Sequence, residues 1–299
     1  MAATAIPFLA PGRSPRPSGA APLGSIMRRP SSATSAVQAC PLNQRYSWRP
    51  CGSGNHPDGN VGGPFTASQS TFAGVEFVLV RHGQPEWVRD GFNVVDPPLT
   101  ERGQRQASLM AEALAAEPFD EVLVSPLLRA RQTAAPLYRA LGISEAVDPW
   151  LEEIRDPNWH GTPAEYAQQL YRELEQRPID ARWDGLTGGE PMRDFTARIH
   201  ADASSFLAAR GMKRIDHELP FWSIDEPGRR ILLVAHAGTN SVFMCHLLGL
   251  QPTPWEWDRF VFGHASVSRL EALPVHDGYT FSLTSLSSVE HIPRDDRTR

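Results

Sequence analysis

Short, continuous hydrophobic runs occur at three widely spaced points of the chain. They cover residues 75–80, Glu121–Val124 and Arg230–Ala235. Each run has the length of a strand and is mostly apolar, which is typical of strands buried on both faces of a parallel sheet. The pattern predicts three central strands, and the first of them ends at Arg81.

Helical periodicity separates these strands. Thr100 is the predicted N-cap of a first helix, in which apolar residues recur at positions 107, 110, 111 and 114. Ser125 and Pro126 are predicted as the N-cap and first residue of a second helix, which carries Arg129 and begins directly after the second strand. A further helix is predicted over residues 192–209, and an irregular stretch follows it.

The remaining segments predict a cap and a hairpin. Residues 155–190 interrupt the alternation with turns and a short amphipathic helix near residues 164–174, and we interpret them as an insertion that covers a site. Residues 267–273 and 279–286 alternate like strands around Asp277-Gly278, a two-residue hairpin signal. Together these elements predict a three-layer α/β/α sandwich with a mostly parallel sheet and an antiparallel edge.

Composition separates the first 72 residues from the rest. They are rich in Ala, Pro, Ser, Gly and Arg, which predicts a disordered extension before a domain at 73–290 and a flexible tail at 291–299. The lack of any acid before Asp58 resembles an organellar transit peptide. A GC-rich coding region or an over-extended start is the other explanation. We favour it, so we expect a cytoplasmic location, with a plastid or other organelle as the alternative.

The charge distribution excludes some classes of partner. The chain carries a net charge of -5, and its arginine-rich first 72 residues leave the remainder more acidic than that. An acidic body argues against nucleic-acid binding, which needs a clustered basic face. No run approaches the ~18 apolar residues of a membrane span. We therefore expect neither nucleic acid nor membrane as a partner.

Polar residues suited to an anion follow each of the three predicted strands. Ligands in open α/β sheets bind at the carboxyl ends of the strands, so these segments should converge. Guanidinium and imidazole groups directed at one point would bind phosphate oxygens. The residues concerned are Arg81, His82 and Gly83, then Ser125 to Arg129, and finally His236, Ala237 and Gly238.

The order of these motifs resembles the histidine phosphatase superfamily, which also contains the cofactor-dependent phosphoglycerate mutases. The resemblance covers about residues 74–275 and rests on five blocks after Arg81-His82-Gly83. The blocks are PLTERGQRQA at 98–107, SPLLRARQTA at 125–134, LEEI at 151–154 with Gly161 beyond it, GGEPMRDFTARI at 188–199 and VAHAGTN at 234–240.

The resemblance implies a phosphatase of phosphoglycerate mutase-like fold that needs neither metal nor cofactor. It makes His82 the nucleophile, which becomes transiently phosphorylated, and Glu153 rather than Glu152 the general acid. It assigns the phosphoryl oxygens to Arg81, Arg129 and His236. Further substrate contacts are expected from Gly83, Gln84, Ala237 and Gly238, and from the cap residues Trp159 and His160.

Elementary chemistry agrees with the role of His82. A histidine attacks only as neutral imidazole, and cationic arginines nearby should depress its pKa. Its second nitrogen then needs a partner, for which the backbone carbonyl at Gly83 is the candidate. By contrast, we expect Asp194 and Arg198 to form an intrahelical pair, and His264 to have a structural or surface role.

Several alternatives are weighed against this hypothesis. Gln84, Pro157 and Ala237 depart from common family residues and leave the shape of the leaving-group pocket open. The segments by which mutases grip phosphoglycerate are not recognisable, which favours a phosphatase of a small phosphorylated metabolite over a mutase-like phosphotransferase. A phosphate-binding scaffold without turnover is less favoured. A metal site is rejected because no metal-ligating helix pair appears.

Overall fold

The computed structural model describes residues 74–216 and 218–299. The expectations for residues 1–72, including targeting, lie outside the described residues. The described part is one compact unit.

A seven-stranded mixed sheet forms the centre of the fold, in the order β4-β7-β1-β8-β9-β6-β5. Strands β4, β7 and β1 are parallel neighbours, and the remaining pairings are antiparallel. A separate pair, β2 and β3, lies outside this sheet. The strands are β1 Glu76–Arg81, β2 Val88–Arg89, β3 Phe92–Asn93, β4 Glu121–Val124, β5 Met212–Arg214, β6 Trp222–Ile224, β7 Arg230–Ala235, β8 Val267–Val275 and β9 Gly278–Ser288.

Helices cover both faces of this sheet. The helices are α1 Glu101–Leu114, α2 Leu128–Leu141, α3 Ala164–Gln176, α4 Met192–Ala208, α5 Ala237–Leu248 and α6 Glu256–Arg259. Helices α1 and α2 pack on one face, and α4 and α5 pack on the other. No helix in the part of the chain that the structure describes is long and apolar enough to cross a membrane.

Strand β1 shows why the sheet is covered on both sides. Phe77 and Leu79 belong to the core under α4 and α5, whereas Val78 and Val80 belong to the core under α1 and α2. All four side chains are buried. Because successive side chains of a strand point to opposite faces, a continuous apolar run requires two cores. The expected three-layer α/β/α sandwich with parallel core strands is confirmed.

The antiparallel part of the sheet is larger than the expected edge. Strands β5 and β6 lie in a stretch expected to be irregular, and three residues are too few to show periodicity. The β8–β9 hairpin turns at His276 and Asp277, one residue earlier than expected, because Gly278 already pairs with Val275. A Cβ atom at Gly278 would lie 2.7 Å from the Trp222 carbonyl oxygen, so the strand contact requires glycine there.

The cap is anchored through residues just before helix α3. Asn93 donates its backbone N–H to the Thr162 carbonyl at 2.8 Å and its side-chain amide to the Pro163 carbonyl at 2.8 Å. Helix α3 confirms the predicted amphipathic helix, but none of its residues is buried. The cap helix is therefore fixed at its base and exposed along its length.

The C-terminal residues, expected to be a flexible tail, are bonded to the body. Ile292 is buried in the core beneath α1 and α2. Asp296 accepts from Arg105 at 2.8 Å. Gln106 donates to Thr298 Oγ1 at 2.9 Å. One apolar anchor and several polar contacts hold this segment in place.

Gly103 lies inside helix α1, where glycine is ordinarily unfavourable. A Cβ atom at this position would lie 2.2 Å from the Gln84 carbonyl oxygen, and one at Gly83 would lie 2.6 Å from the Gly103 carbonyl oxygen. The helix and the loop after β1 approach each other backbone to backbone. The two glycines therefore set the distance between α1 and the loop that follows His82.

Gly103→Ala should destabilise the protein, although alanine is the better helix former. The backbone contact must open, and overpacking of this kind costs about 1–3 kcal/mol in the free energy of unfolding. Urea denaturation measures the change. Ser108→Ala, on the exposed face of the same helix, is the matched control and should be neutral or slightly stabilising. A more stable Gly103→Ala variant would contradict the close approach.

Candidate active site

The ends of the three parallel strands bring the predicted phosphate-binding residues together. The His82 N–H donates to the Ala235 carbonyl at 2.9 Å, and the Ser125 N–H donates to the Val234 carbonyl at 3.0 Å. His82 and Ser125, which follow β1 and β4, therefore both lie beside the carboxyl end of β7. The convergence follows from parallel pairing, since all three carboxyl ends lie at one edge.

His82 is buried, and its hydrogen bonding defines which nitrogen is free. Its Nδ1 lies 2.8 Å from the Gly83 carbonyl oxygen, which can only accept, so Nδ1 carries the proton. Nε2 is left with a lone pair. Burial first, and then the neighbouring Arg129, His236 and Arg81, hold the pKa of His82 well below its ordinary 6.5. The imidazole is neutral and nucleophilic at neutral pH. The Gly83 carbonyl is the partner expected for its other nitrogen, Nδ1.

The loop at Gly83 is fastened to helix α2. The Gly83 N–H donates to Thr133 Oγ1 at 2.9 Å, and the Thr133 hydroxyl donates to the Arg129 carbonyl at 2.7 Å. One threonine therefore links the carbonyl acceptor of His82 to the backbone of Arg129.

His236 faces His82 across the site, with 5.1 Å between ring centroids. Its Nε2 lies 2.7 Å from Ser125 Oγ. The expectation that Ser125 caps α2 is wrong: the helix begins at Leu128, with Leu127 as its N-cap, because the Ser125 side chain bonds to His236. Burial, with Arg129 and Arg81 beside it, keeps the pKa of His236 well below 6.5.

The buried Arg129 and the half-buried Arg81 supply the positive charge. Arg81 Nη1 donates to the Phe262 carbonyl at 2.6 Å. Arg129 lies 3.6 Å from Asp96 and 4.9 Å from the centroid of the Trp87 ring. Burial lowers both guanidinium pKa values, that of Arg81 to about 10, against the opposing charge of Glu153. Both side chains remain charged at neutral pH.

These side chains retain hydrogen-bonding capacity. Arg81 Nε, Arg129 Nε and His236 Nδ1 are buried without a partner among the residues that the structure describes. Buried polar atoms are rarely left unpaired. A phosphoryl group carries enough acceptor oxygens to satisfy both guanidinium atoms, and His236 can contribute as the Nδ1–H tautomer. The arrangement fits a phosphate dianion.

Glu153 and Glu152 differ sharply in their surroundings. Glu153 Oε2 accepts from the Gly238 N–H at 2.8 Å, and Oε1 accepts from the Ile154 N–H at 3.0 Å. Burial nevertheless raises the pKa of the Glu153 carboxyl, which favours the protonated acid. Glu152 pairs with the exposed Arg155 at 2.7 Å. The geometry makes Glu153 the candidate general acid.

Arg198 holds the backbone of this acidic segment. Its guanidinium donates to the Glu152 and Glu153 carbonyls at 3.3 Å each and pairs with Glu190 at 3.0 Å. Arg198 does not form the expected intrahelical pair with Asp194. The helix spacing permitted that pair, but a partner outside the helix, in the segment before α4, takes the guanidinium instead.

The other expected substrate residues have differing surroundings. The Gln84 side-chain oxygen accepts from the Thr100 hydroxyl at 3.0 Å, and the Gly238 N–H donates to Glu153, so both groups are hydrogen-bonded within the protein. Ala237 is the first residue of α5. Trp159 is buried, 5.9 Å from Tyr171 between ring centroids, whereas His160 is exposed and accepts from the Val95 N–H at 3.3 Å.

His264 is a site neighbour that sequence reasoning missed. It is buried, and its ring centroid lies 5.7 Å from that of His82. Its Nδ1 lies 2.9 Å from Thr298 Oγ1, so the C-terminal segment contacts a direct neighbour of His82. No sequence motif surrounds His264. Its position beside His82 depends on how β8 and the C-terminal segment pack, which the local sequence does not reveal.

Metal-binding clusters are not seen in the described ranges. Across residues 74–216 and 218–299 there is no group of three or more His, Cys, Asp or Glu side chains arranged to hold a metal ion.

Comparison with known proteins gives consistent similarities. Residues 77–284 match the histidine phosphatase superfamily (branch 1). Phosphoserine phosphatase 1 of Hydrogenobacter thermophilus is 35% identical over 179 residues, which are 59% of this chain and 77% of the relative. The probable phosphoglycerate mutase GpmB of Yersinia enterocolitica is 29% identical over 181 residues, 60% and 77% of the two chains.

A solved structure, that of a mycobacterial glucosyl-3-phosphoglycerate phosphatase, superposes with a TM-score of 0.54 at 26% identity. The match covers 71% of this chain and 98% of the other.

The buried histidines should make stability depend on pH in one direction. Burial lowers the pKa values of His82, His236 and His264 well below 6.5, so below pH 6.5 the unfolded chain binds protons that the folded protein does not. Stability should therefore be lost as pH falls from 6.5, by up to about 1.4 kcal/mol per pH unit for each histidine.

Urea unfolding of wild type, His264→Asn and His276→Asn at pH 7.5 to 5 measures this slope. His264→Asn should reduce the slope by about one proton, whereas replacing the exposed turn residue His276 should leave it unchanged. Equal slopes in all three proteins would contradict the neutral buried state of His264.

Proposed function

Because this chain belongs to the histidine phosphatase superfamily, branch 1, we propose that it hydrolyses small phosphomonoesters with His82 as the nucleophile. The observation that carries the proposal is the hydrogen bond from His82 Nδ1 to the Gly83 carbonyl, at 2.8 Å, which leaves the Nε2 lone pair free. Attack on a phosphate dianion requires a neutral nucleophile and positive charges that bind the phosphoryl oxygens. His82 and the two arginines beside it supply both.

The first step transfers the phosphoryl group to the enzyme. Arg81 and Arg129 bind the phosphoryl oxygens and spread the charge of the transition state, with His236 beside them. His82 Nε2 forms the P–N bond as the ester P–O bond breaks. Glu153 donates its proton to the departing alkoxide, which leaves as the alcohol.

The second step regenerates the enzyme. Glu153, now a carboxylate, takes a proton from water while the water oxygen attacks the phosphorus. The P–N bond breaks, and inorganic phosphate and neutral His82 result. The raised pKa of Glu153 supports both roles, since the acid is protonated more readily than an ordinary carboxyl.

A phosphatase is favoured over a mutase. Relatives named for each activity match this chain at similar coverage, but the segments by which mutases grip phosphoglycerate are not recognisable in it. We expect release of inorganic phosphate from several phosphomonoesters without added bisphosphoglycerate. Interconversion of phosphoglycerates that requires bisphosphoglycerate, with little phosphate release, would support the mutase instead.

His82→Ala should abolish turnover, because no other side chain offers a neutral, oriented nucleophile at this position. Phosphate release from p-nitrophenyl phosphate measures the loss. His276→Asn, at an exposed turn, is the control and should retain wild-type activity. A chelator should not change the rate. Full activity of His82→Ala, or strong inhibition by the chelator, would overturn the mechanism.

Glu153→Gln should produce a defect that depends on the leaving group. A poor alkoxide must be protonated as it departs, whereas p-nitrophenolate need not be. The variant should therefore slow hydrolysis of an alkyl phosphate on the order of 10² more than that of p-nitrophenyl phosphate. Glu152→Gln should slow both substrates little and alike.

Single-turnover measurements of phosphoenzyme formation separate slow chemistry from slow product release in these variants. A leaving-group-dependent defect in Glu152→Gln, and none in Glu153→Gln, would reverse the assignment of the two acids. If neither variant shows it, the proton comes from another group, and the exposed cap residue His160 would be tested next.

A further inference from the structure

Asp156 is a partly buried acid of the cap that the proposed mechanism does not use. It follows Glu153 by three residues, and Tyr171 of the cap helix points its hydroxyl toward it, with 3.4 Å between Tyr171 Oη and Asp156 Oδ1. The Tyr171 ring lies against the buried Trp159. The cap therefore presents a carboxyl and a phenol together.

This pair lies close to the catalytic groups. Burial, and then the charge of Glu153, raises the pKa of Asp156 to about 6, with Arg129 and Tyr171 opposing the shift. The charge of Asp156 and the Tyr171 hydroxyl in turn act on Arg129. Both cap groups are thus within electrostatic range of Arg129 and Glu153.

Two cationic groups near the cap have acidic partners. Arg129 lies 3.6 Å from Asp96, whose carboxylate also accepts from the Leu128 N–H at 2.8 Å. Arg155, the basic residue directly before Asp156, pairs with Glu152 at 2.7 Å. Beyond the phosphate-binding arginines, Asp156 and Asp96 contribute negative charge on this side of the site.

An unpaired group of Arg129 indicates independently that a ligand binds beside the cap acids. Arg129 is buried, and its Nε has no partner among the described residues, so a substrate phosphate is expected to bind there. The alcohol half of that substrate must extend away from the strand ends, past Glu153, which protonates its oxygen. Asp156 lies three residues beyond Glu153 and is hydrogen-bonded by Tyr171, so this pair is the candidate contact for the alcohol.

We propose that Asp156 and Tyr171 form the leaving-group subsite and select phosphomonoesters whose alcohol presents an ammonium or hydroxyl group near the ester oxygen. This inference rests on the proposed function. A hydrogen-bond donor on the alcohol is accepted by the Asp156 carboxylate, and an ammonium is also attracted to it. A carboxylate at the same position meets a like charge and lacks a donor, which disfavours binding.

Three substrates with two-carbon alcohols test this selectivity, since they differ only in the terminal group. They are 2-aminoethyl phosphate, 2-hydroxyethyl phosphate and phosphoglycolate. Wild type should hydrolyse the first two with kcat/KM at least about tenfold above that of phosphoglycolate. Hydrolysis of p-nitrophenyl phosphate and formation of the phosphoenzyme are measured in parallel.

Asp156→Asn should reduce the ratio of 2-aminoethyl phosphate to phosphoglycolate at least about tenfold, by lowering the first kcat/KM and raising the second. Tyr171→Phe should lower kcat/KM for the two donor-bearing substrates without improving phosphoglycolate. Glu165→Gln, which removes an exposed acid from the first turn of the same cap helix, should leave all ratios unchanged. Thermal unfolding checks that each variant is folded.

The possible outcomes distinguish failure of the subsite proposal from failure of the phosphatase proposal. If wild type turns over p-nitrophenyl phosphate through a phosphoenzyme but prefers phosphoglycolate, the subsite proposal is wrong and the phosphatase proposal stands. An unchanged ratio in Asp156→Asn overturns the subsite as well. If wild type forms no phosphoenzyme with any substrate, the proposed function itself fails.

Discussion

The hydrogen bond between His82 and the Gly83 carbonyl is the interaction on which the rest of the site depends. A carbonyl accepts only, so it fixes the proton on Nδ1 and the lone pair on Nε2. The loop that provides this carbonyl is held from two sides. Thr133 of α2 accepts the Gly83 N–H, and the glycine at position 103 lets α1 approach the loop at backbone distance. Contacts from α1 and α2 therefore help to orient one imidazole.

Burial acts on the two reacting groups in opposite directions, and both effects favour the same chemistry. It disfavours charge, so it keeps His82 neutral and raises the pKa of Glu153. The arginines reinforce the first effect and oppose the second, yet the Glu153 carboxyl still lies above its ordinary pKa. A nucleophile with a free Nε2 lone pair therefore lies beside two positive charges and near an acid that holds its proton more readily than an ordinary carboxyl. The proposed reaction needs both states at the same pH.

Sequence reasoning predicted the elements well and the contacts between them less well. Strands that are apolar throughout and a helix with a clear N-cap follow from local pattern, and the resemblance to a known family identified the residues at the strand ends. Side-chain partners depend on tertiary packing. Ser125 has the local signature of an N-cap but bonds to His236 instead. Arg198 has an acid one helical turn before it and nevertheless pairs with Glu190, which lies outside the helix. Such choices are made by neighbours that are distant in sequence.

The central claim is that phosphate passes through a covalent bond to His82, and the stereochemical course of hydrolysis tests it most directly. A thiophosphate monoester made chiral at phosphorus with two oxygen isotopes is hydrolysed in water enriched in the third isotope, and the configuration of the chiral inorganic thiophosphate that is released is determined. Two successive in-line displacements, first by His82 and then by water, predict net retention. Net inversion would mean that water attacks the substrate directly, and it would contradict the account.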